Sequence, residues 1–347
     1  MLHRTNQRIP YCNYLKREVF QSNTSPYYFA YGRTALKQGL LHLNLQNSRI
    51  LVPEYICETV TEVLKSLNIS IVYYPVNENL TPKWDVLEQL FTQEIKSILM
   101  VHYFGIPQSI ADFQQFASRK NIQLIEDNSH GSFGMIENRT IGTFGDIGIA
   151  SPRKSFPIIN GGILYSKTEI KNIRLAIEPH NIPKAIIKNI IGIVLDFVPK
   201  IKSLFIRSEY VASYSEIPDY GFDLSSYKII EKNKDQISNR IIIYKKWLEW
   251  CSMNKLKPVF PNIPDTIAPM CFPIICDSKE QKEQLFRFFK NENIAAFSWP
   301  DLPDELKTTN NSGLELYNKT ICLPIYNNMD CKKLETKLKN LKFDNQR

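Results

Sequence analysis

Three short stretches carry side chains that could do chemistry together. In the first, Leu124-Ile125-Glu126-Asp127-Asn128-Ser129-His130-Gly131, an apolar strand runs straight into a polar cluster. A carboxylate at the end of a buried strand is costly unless a cation or strong donors meet it. A helix cap made by Asp127, Asn128 or Ser129 is the plainer reading of the same residues. In the second, Gly145 to Lys154, a strand ends at Ser151 and a lysine follows in the turn, with Asn160-Gly161-Gly162 behind it. An isolated loop lysine is ordinarily solvated. Lys154, however, follows a strand end and adjoins Arg153. Desolvation and a neighbouring cation both lower an amine's pKa and free it to form an imine with a carbonyl. In the third, Phe29-Ala30-Tyr31-Gly32-Arg33-Thr34-Ala35-Leu36 precedes a helix-like run. Gly32, a hydroxyl and the open backbone N–H groups of a helix start make an anion site. Thr34 acting as an ordinary N-cap is the alternative.

These stretches need elements that bring them to one place. From about Ile50 to Tyr165, short apolar runs alternate with helical patterns. The expected strands are Ile50–Val52, Ile71–Tyr74, Ile98–Val101, Gln123–Glu126, Ile147–Ser151 and Gly162–Tyr165, with amphipathic segments such as Cys57–Ser66 and Ile110–Lys120 between them. Such alternation predicts an α/β domain with a mostly parallel central sheet, whose ligands sit beyond the carboxyl ends of the strands. The polar residues after each strand lie there. Further on, Gln236–Cys251 reads as a helix with Ile237, Ile241, Tyr244 and Leu248 on one face. Pro269–Cys276 reads as a strand, Lys279–Asn291 as a helix and Thr320–Ile325 as a short strand. We expect a large domain over residues 1–215 and a smaller α+β domain over residues 216–347.

Composition excludes several function classes. At 347 residues and 43% hydrophobic, the chain can bury a large core and a satellite one. A net charge of +8 is scattered rather than clustered, which disfavours nucleic acid and suits anionic substrates such as nucleotides. The seven cysteines include no C-x-x-C pair, so zinc ribbons and thioredoxin-like chemistry have no support. Their odd number predicts reduced thiols in the cytoplasm, and the polar, charged residues Met1 to Arg17 lack the apolar stretch of a signal peptide. Neither a P-loop nor a dinucleotide-binding glycine pattern occurs. Residues 184–206 form an apolar run edged by lysines and interrupted by Asp196 and Pro199, which disfavours a membrane span. A helix buried between domains or subunits is the simpler expectation, and contact with a membrane surface the alternative.

An anion cup, a carboxylate and an amine at one sheet edge are what pyridoxal phosphate (PLP) needs: phosphate donors, a counter-ion for the ring nitrogen and an imine partner. In the same order, Gly32-Arg33-Thr34-Ala35-Leu36, Val101-His102-Tyr103-Phe104-Gly105-Ile106-Pro107, Ile125-Glu126-Asp127, Gly142-Thr143-Phe144-Gly145-Asp146, Ser151-Pro152-Arg153-Lys154 and Asn160-Gly161-Gly162 resemble the motifs of the DegT/DnrJ/EryC1/StrS sugar aminotransferases, of PLP fold type I. Ile321-Cys322-Leu323-Pro324-Ile325 resembles the family's closing strand, so the likeness spans about residues 28–330. The resemblance implies that Lys154 binds the cofactor as an imine and shuttles protons, and that Asp127 pairs with the ring nitrogen. It also implies that Ser151, with Gly32, Arg33 and Thr34, holds the phosphate. The family commonly has Gln where this chain has His130, which could donate a similar hydrogen bond to the ring hydroxyl. It commonly has an aromatic residue stacked on the ring where this chain has Cys57, with Tyr55 nearby. Glutamate as amino donor, a nucleotide-linked keto sugar as acceptor, a role in cell-surface polysaccharide or related glycan synthesis, and a homodimer with shared sites are implied as well.

Three other readings compete. Relatives of the family that remove a sugar hydroxyl replace the lysine by histidine, and Lys154 stands against that outcome. Ser151-x-x-Lys154 also spells the S-x-x-K of penicillin-binding acylases, but the S-D-N and K-T-G elements of that class do not occur. A non-catalytic binding protein could keep the fold, and Asp127 with Lys154 argues against it.

Overall fold

The computed structural model describes residues 26–170, apart from 133, 157, 159 and 160, and residues 237–343, apart from 327 and 328. The expected strands all form, five of them longer than expected by one to three residues and the strand from Ile147 one residue shorter. They are β2 (Arg49–Pro53), β3 (Ser70–Tyr74), β4 (Ile95–Val101), β5 (Gln123–Asn128), β8 (Ile147–Ala150) and β9 (Gly162–Ser166), joined by a short β1 (Tyr27–Phe29) that no sequence pattern announced. The sheet runs β1-β9-β8-β5-β4-β2-β3. Its β3-β2-β4-β5-β8 stretch is parallel throughout, while β9 is antiparallel to both β8 and β1. In β2, β4 and β5 nearly every residue is buried, on both sides of the pleat, as a sheet covered on both faces requires.

The helices α1 (Gly32–His42), α2 (Glu58–Ser66), α3 (Trp84–Leu90) and α4 (Ile110–Lys120) lie between these strands in sequence. Helix α1 lies so close to β8 and β9 that a methyl on Gly39 would fall 2.6 Å from Ile147 Cδ1 and 2.9 Å from Leu164 Cδ1. A two-residue hairpin, β6 (Met135–Ile136) with β7 (Arg139–Thr140), leads into β8.

The C-terminal part is a three-stranded antiparallel sheet, β10 (Lys257–Pro258), β11 (Cys271–Ile275) and β12 (Thr320–Pro324), with α5 (Ile237–Met253), α6 (Lys279–Asn291), α7 (Ser312–Lys319) and α8 (Cys331–Asn340). Helix α5 has apolar residues on more than one side, and the face it buries is turned from the expected one. Ile243, Trp247, Trp250 and Cys251 are buried with Ile241 and Tyr244, whereas Leu248 stays half-buried. Its two indoles satisfy their N–H groups on Pro324 O and Leu341 O, at 3.1 and 2.7 Å. The expected domain boundary near residue 215, the apolar run 184–206, and Asn160 lie outside the described residues. No helix among the described residues is long and apolar enough to cross a membrane.

Candidate active site

Strand β5 carries Asp127 level with Val101 of β4 and Ile149 of β8, so the carboxylate sits at the carboxyl edge in the middle of the sheet. Asp127 is buried, and Ser129 N–H donates to its Oδ1 at 2.9 Å. The helix-cap reading of this cluster does not hold. Asp127 and Asn128 are strand residues, and the Asn128 amide donates to Gly131 O and Ile141 O at 3.0 and 2.8 Å instead.

Strand β8 ends one residue earlier than expected, at Ala150. Ser151 opens a 3-10 turn over Pro152–Lys154, because Pro152 has no N–H to continue the ladder. Ser151 is buried and Lys154 half-buried. Burial pushes the Lys154 amine below its ordinary value and Arg153 adds to this, while Cys57 and Asp127 pull it back up. Lys154 therefore stands among Cys57, Asp127 and Arg153, and loses its proton more readily than an ordinary lysine.

The anion cup takes shape at the start of α1. The N-cap is Tyr31, which makes no side-chain cap bond; Thr34 lies inside the helix and is not its cap. Gly32 begins the helix, and a methyl placed on it would lie 3.4 Å from Ser151 Cβ and 3.6 Å from Ser129 Oγ. The two hydroxyl residues thus border the uncapped helix start, where backbone N–H groups and the helix dipole attract an anion. Arg33 and Arg153 both approach the Tyr31 ring, at 4.9 and 5.5 Å from its centroid. Gly162 makes this geometry possible, since any side chain there would fall on the Tyr31 carbonyl and the Gly32 nitrogen. Gly162→Ala should therefore displace the cup at a cost of roughly 1–3 kcal/mol. Titration with inorganic phosphate or PLP should show weakened binding while far-UV circular dichroism is unchanged.

His130 is buried, and its Nδ1 accepts from Phe104 N–H at 3.0 Å, which leaves Nε2 as the protonated nitrogen of the neutral ring. Burial, with a contribution from Lys154, holds its pKa well below the ordinary histidine value. The unfolded chain then binds the histidine proton more readily than the folded one, so stability falls as pH drops through the ordinary value of about 6.5. His130→Gln should flatten that acid-side decline in unfolding temperature.

Beneath the site lies a charge that the sequence reading passed over. Glu126 is fully buried and accepts from Gly142 N (2.6 Å), Phe144 N (2.6 Å), Gly145 N (3.0 Å) and His102 Nε2 (2.8 Å). His102 Nδ1 in turn accepts from Gln108 N–H at 3.0 Å. This carboxylate ties the loop before β8 to the ends of β4 and β5.

Cys57 precedes α2, half-buried and close to Lys154. Tyr55 is fully buried, with its hydroxyl donating to Trp299 O and its carbonyl accepting from Tyr103 Oη, so it presents no open face. Trp299, which no sequence pattern singled out, meets the His130 ring edge-on at 4.6 Å between centroids.

The residues brought together are an amine of depressed pKa, a buried carboxylate, a neutral imidazole with an N–H donor and an uncapped helix start with two hydroxyls. They fit a phosphorylated aldehyde whose ring nitrogen takes a proton.

Comparison with known proteins points to one family and one fold. The sequence model of the DegT/DnrJ/EryC1/StrS aminotransferase family matches residues 29–193. The GDP-4-keto-6-deoxy-D-mannose 3-dehydratase of Escherichia coli O55:H7 is 28% identical over 147 residues, 40% of this chain and 38% of that one. The dTDP-4-dehydro-2,3,6-trideoxy-D-glucose 4-aminotransferase of Saccharopolyspora spinosa is 29% identical over 89 residues, 25% of this chain and 23% of that one. These matches span well under half of the curated relatives' lengths. The solved structure of Helicobacter pylori PseC, an aminotransferase involved in the biosynthesis of pseudoaminic acid, shares the fold, with a TM-score of 0.68 and 14% identity over 95% of this chain and 90% of that one. Solved neighbours of the same fold include forms carrying PLP.

Proposed function

Residues 29–193 belong to the DegT/DnrJ/EryC1/StrS aminotransferase family, and from that premise we propose that the chain is a PLP-dependent aminotransferase acting on a nucleotide-linked keto sugar, with L-glutamate as donor. The observation that carries the proposal is the meeting of Lys154, its pKa lowered by burial, with the buried Asp127 beside the uncapped start of α1.

When bound, the cofactor supplies an electron-withdrawing ring that stabilises negative charge on the carbon bearing the nitrogen. The chain's own residues do the rest. The N–H groups at Gly32, Arg33 and Thr34, with the hydroxyls of Ser129 and Ser151, would hold the phosphate. Asp127, oriented by Ser129 N–H, would keep a proton on the ring nitrogen, since an adjacent carboxylate favours the charged form. His130 would donate from Nε2 to the ring hydroxyl. Lys154 Nζ would hold the aldehyde end and, when released, accept a proton from one carbon and deliver it to another. In this reading the protein works in the cytoplasm as a homodimer with shared sites, within cell-surface polysaccharide or related glycan synthesis.

The first curated relative removes a hydroxyl, by its name, and this favours one rival outcome: a 3-dehydratase of the same fold. Two measurements separate the readings. The absorption spectrum of the protein with PLP is recorded before and after L-glutamate, and the product from a panel of nucleotide-linked 4-keto sugars is weighed by mass spectrometry. Bleaching of the visible band and a product that gains nitrogen support transamination. A product short of one oxygen and without nitrogen points to the dehydratase, and a wild-type protein that never takes up PLP overturns both.

A further inference from the structure

The position expected to stack on the cofactor ring holds Cys57, whose side chain has no ring, and Tyr55 is fully buried. The residues on either side of Cys57 both grip one segment of the C-terminal part: Tyr55 Oη donates to Trp299 O, and Glu58 N–H donates to Asp301 O at 2.8 Å. These two bonds hold the backbone of Trp299 and Asp301 against the segment that carries Cys57. The Trp299 indole joins a cluster of rings, edge-on to His130 at 4.6 Å, to Tyr55 at 5.3 Å and to Phe104 at 5.5 Å, with Tyr103 at 6.0 Å. Tyr55, Tyr103, Phe104 and His130 are buried, whereas Trp299 is half-buried. Of these five rings, Trp299 is the one with surface left for a ligand.

We propose that Trp299, contributed by the C-terminal part, is the aromatic surface of the site and borders the ring of the bound cofactor where Cys57 provides none. An indole offers a broad apolar face against a pyridine ring, and such ring pairs favour offset or edge contact. The assignment rests on the reading of the chain as a PLP enzyme, and it makes cofactor affinity depend on a residue far from Lys154 in sequence.

The test uses the full-length protein and PLP itself. Apo wild type, Trp299→Phe and Trp299→Ala are titrated with PLP, following the visible band, its circular dichroism and tryptophan fluorescence. The alanine variant should bind about tenfold more weakly, as expected for losing a ring contact together with its burial. The phenylalanine variant should stay within about threefold of wild type, since it keeps a ring at the site. Both variants should lose much of the fluorescence quenching that PLP produces, since the other indoles meet different rings: Trp84 meets Phe113 and Phe116, and Trp247 and Trp250 meet each other and Phe289. A merely structural role for Trp299 would not move the visible circular dichroism of bound PLP in the phenylalanine variant. If the alanine variant is unfolded by far-UV circular dichroism, the phenylalanine variant's affinity and visible circular dichroism decide alone. Equal affinity, spectrum and quenching in wild type and variants overturn the assignment of Trp299 while leaving the enzyme reading intact. No uptake of PLP by wild type overturns both.

Discussion

The Lys154→Ala variant should bind PLP without developing the visible band of a lysine imine, and its transamination should fall by at least about 10³-fold. Two losses combine. The cofactor's aldehyde loses its covalent anchor, and the proton shuttle that Nζ provides is gone. The phosphate and ring contacts proposed for the start of α1, Ser151 and Asp127 would be untouched, so affinity should fall much less than rate. Rescue is expected in part from small primary amines, which can enter the space vacated by the side chain and act as the base. Arg153 supplies a finer test, because it helps to depress the Lys154 pKa. Arg153→Ala should shift the pH dependence of the visible band upward, and an unshifted curve would remove Arg153 from the account. If Lys154→Ala keeps both the band and the turnover, a different amine does the chemistry.

Glu126→Ala should be the most destabilising single change at this sheet edge. It strips four donors of their acceptor at once, namely Gly142 N, Phe144 N, Gly145 N and the His102 Nε2–H. Each buried donor left unpaired costs about 1–3 kcal/mol. Allowing for relaxation and water entry, the total should reach about 4 kcal/mol, a large part of the 5–15 kcal/mol that holds an ordinary domain folded. At about 2 °C per kcal/mol for a large domain, the unfolding midpoint should drop by roughly 8 °C. Glu126→Gln keeps the shape but turns an NH₂ toward donors, so it should recover only part of the loss. A midpoint within a degree of wild type for Glu126→Ala would mean that the loop before β8 has other anchors.

The parallel strands were legible because both of their faces are buried, which leaves unbroken runs such as Ile98–Val101 and Leu124–Ile125. Strand β1 was not, since three residues of antiparallel edge carry no period and their partner β9 lies far along the chain. Helix α5 was visible as a helix, but its apolar residues are spread over more than one side, so the buried face had to be decided by packing. At the site, a polar cluster after a strand and a lysine in a turn mark themselves by breaking the apolar pattern. Glu126 escaped because a strand carboxylate looks the same in sequence whether or not four donors await it. Trp299 escaped for a similar reason: Ser298-Trp299-Pro300 sits in a loop with no period, and only the bonds from Tyr55 and Glu58 show where it goes. A lone Trp beside a Pro, outside any amphipathic pattern, was the signal available.

The bonds from Tyr55 to Trp299 and from Glu58 to Asp301 also set an order of events during synthesis. Chains emerge from the ribosome amino end first, and early domains can fold before later ones appear. Here the sheet that carries Asp127, and the turn with Lys154 at its edge, can leave the exit tunnel long before the segment that holds Trp299 and Asp301. A nascent chain would thus lack the Trp299 side of the proposed site until its last third has been translated.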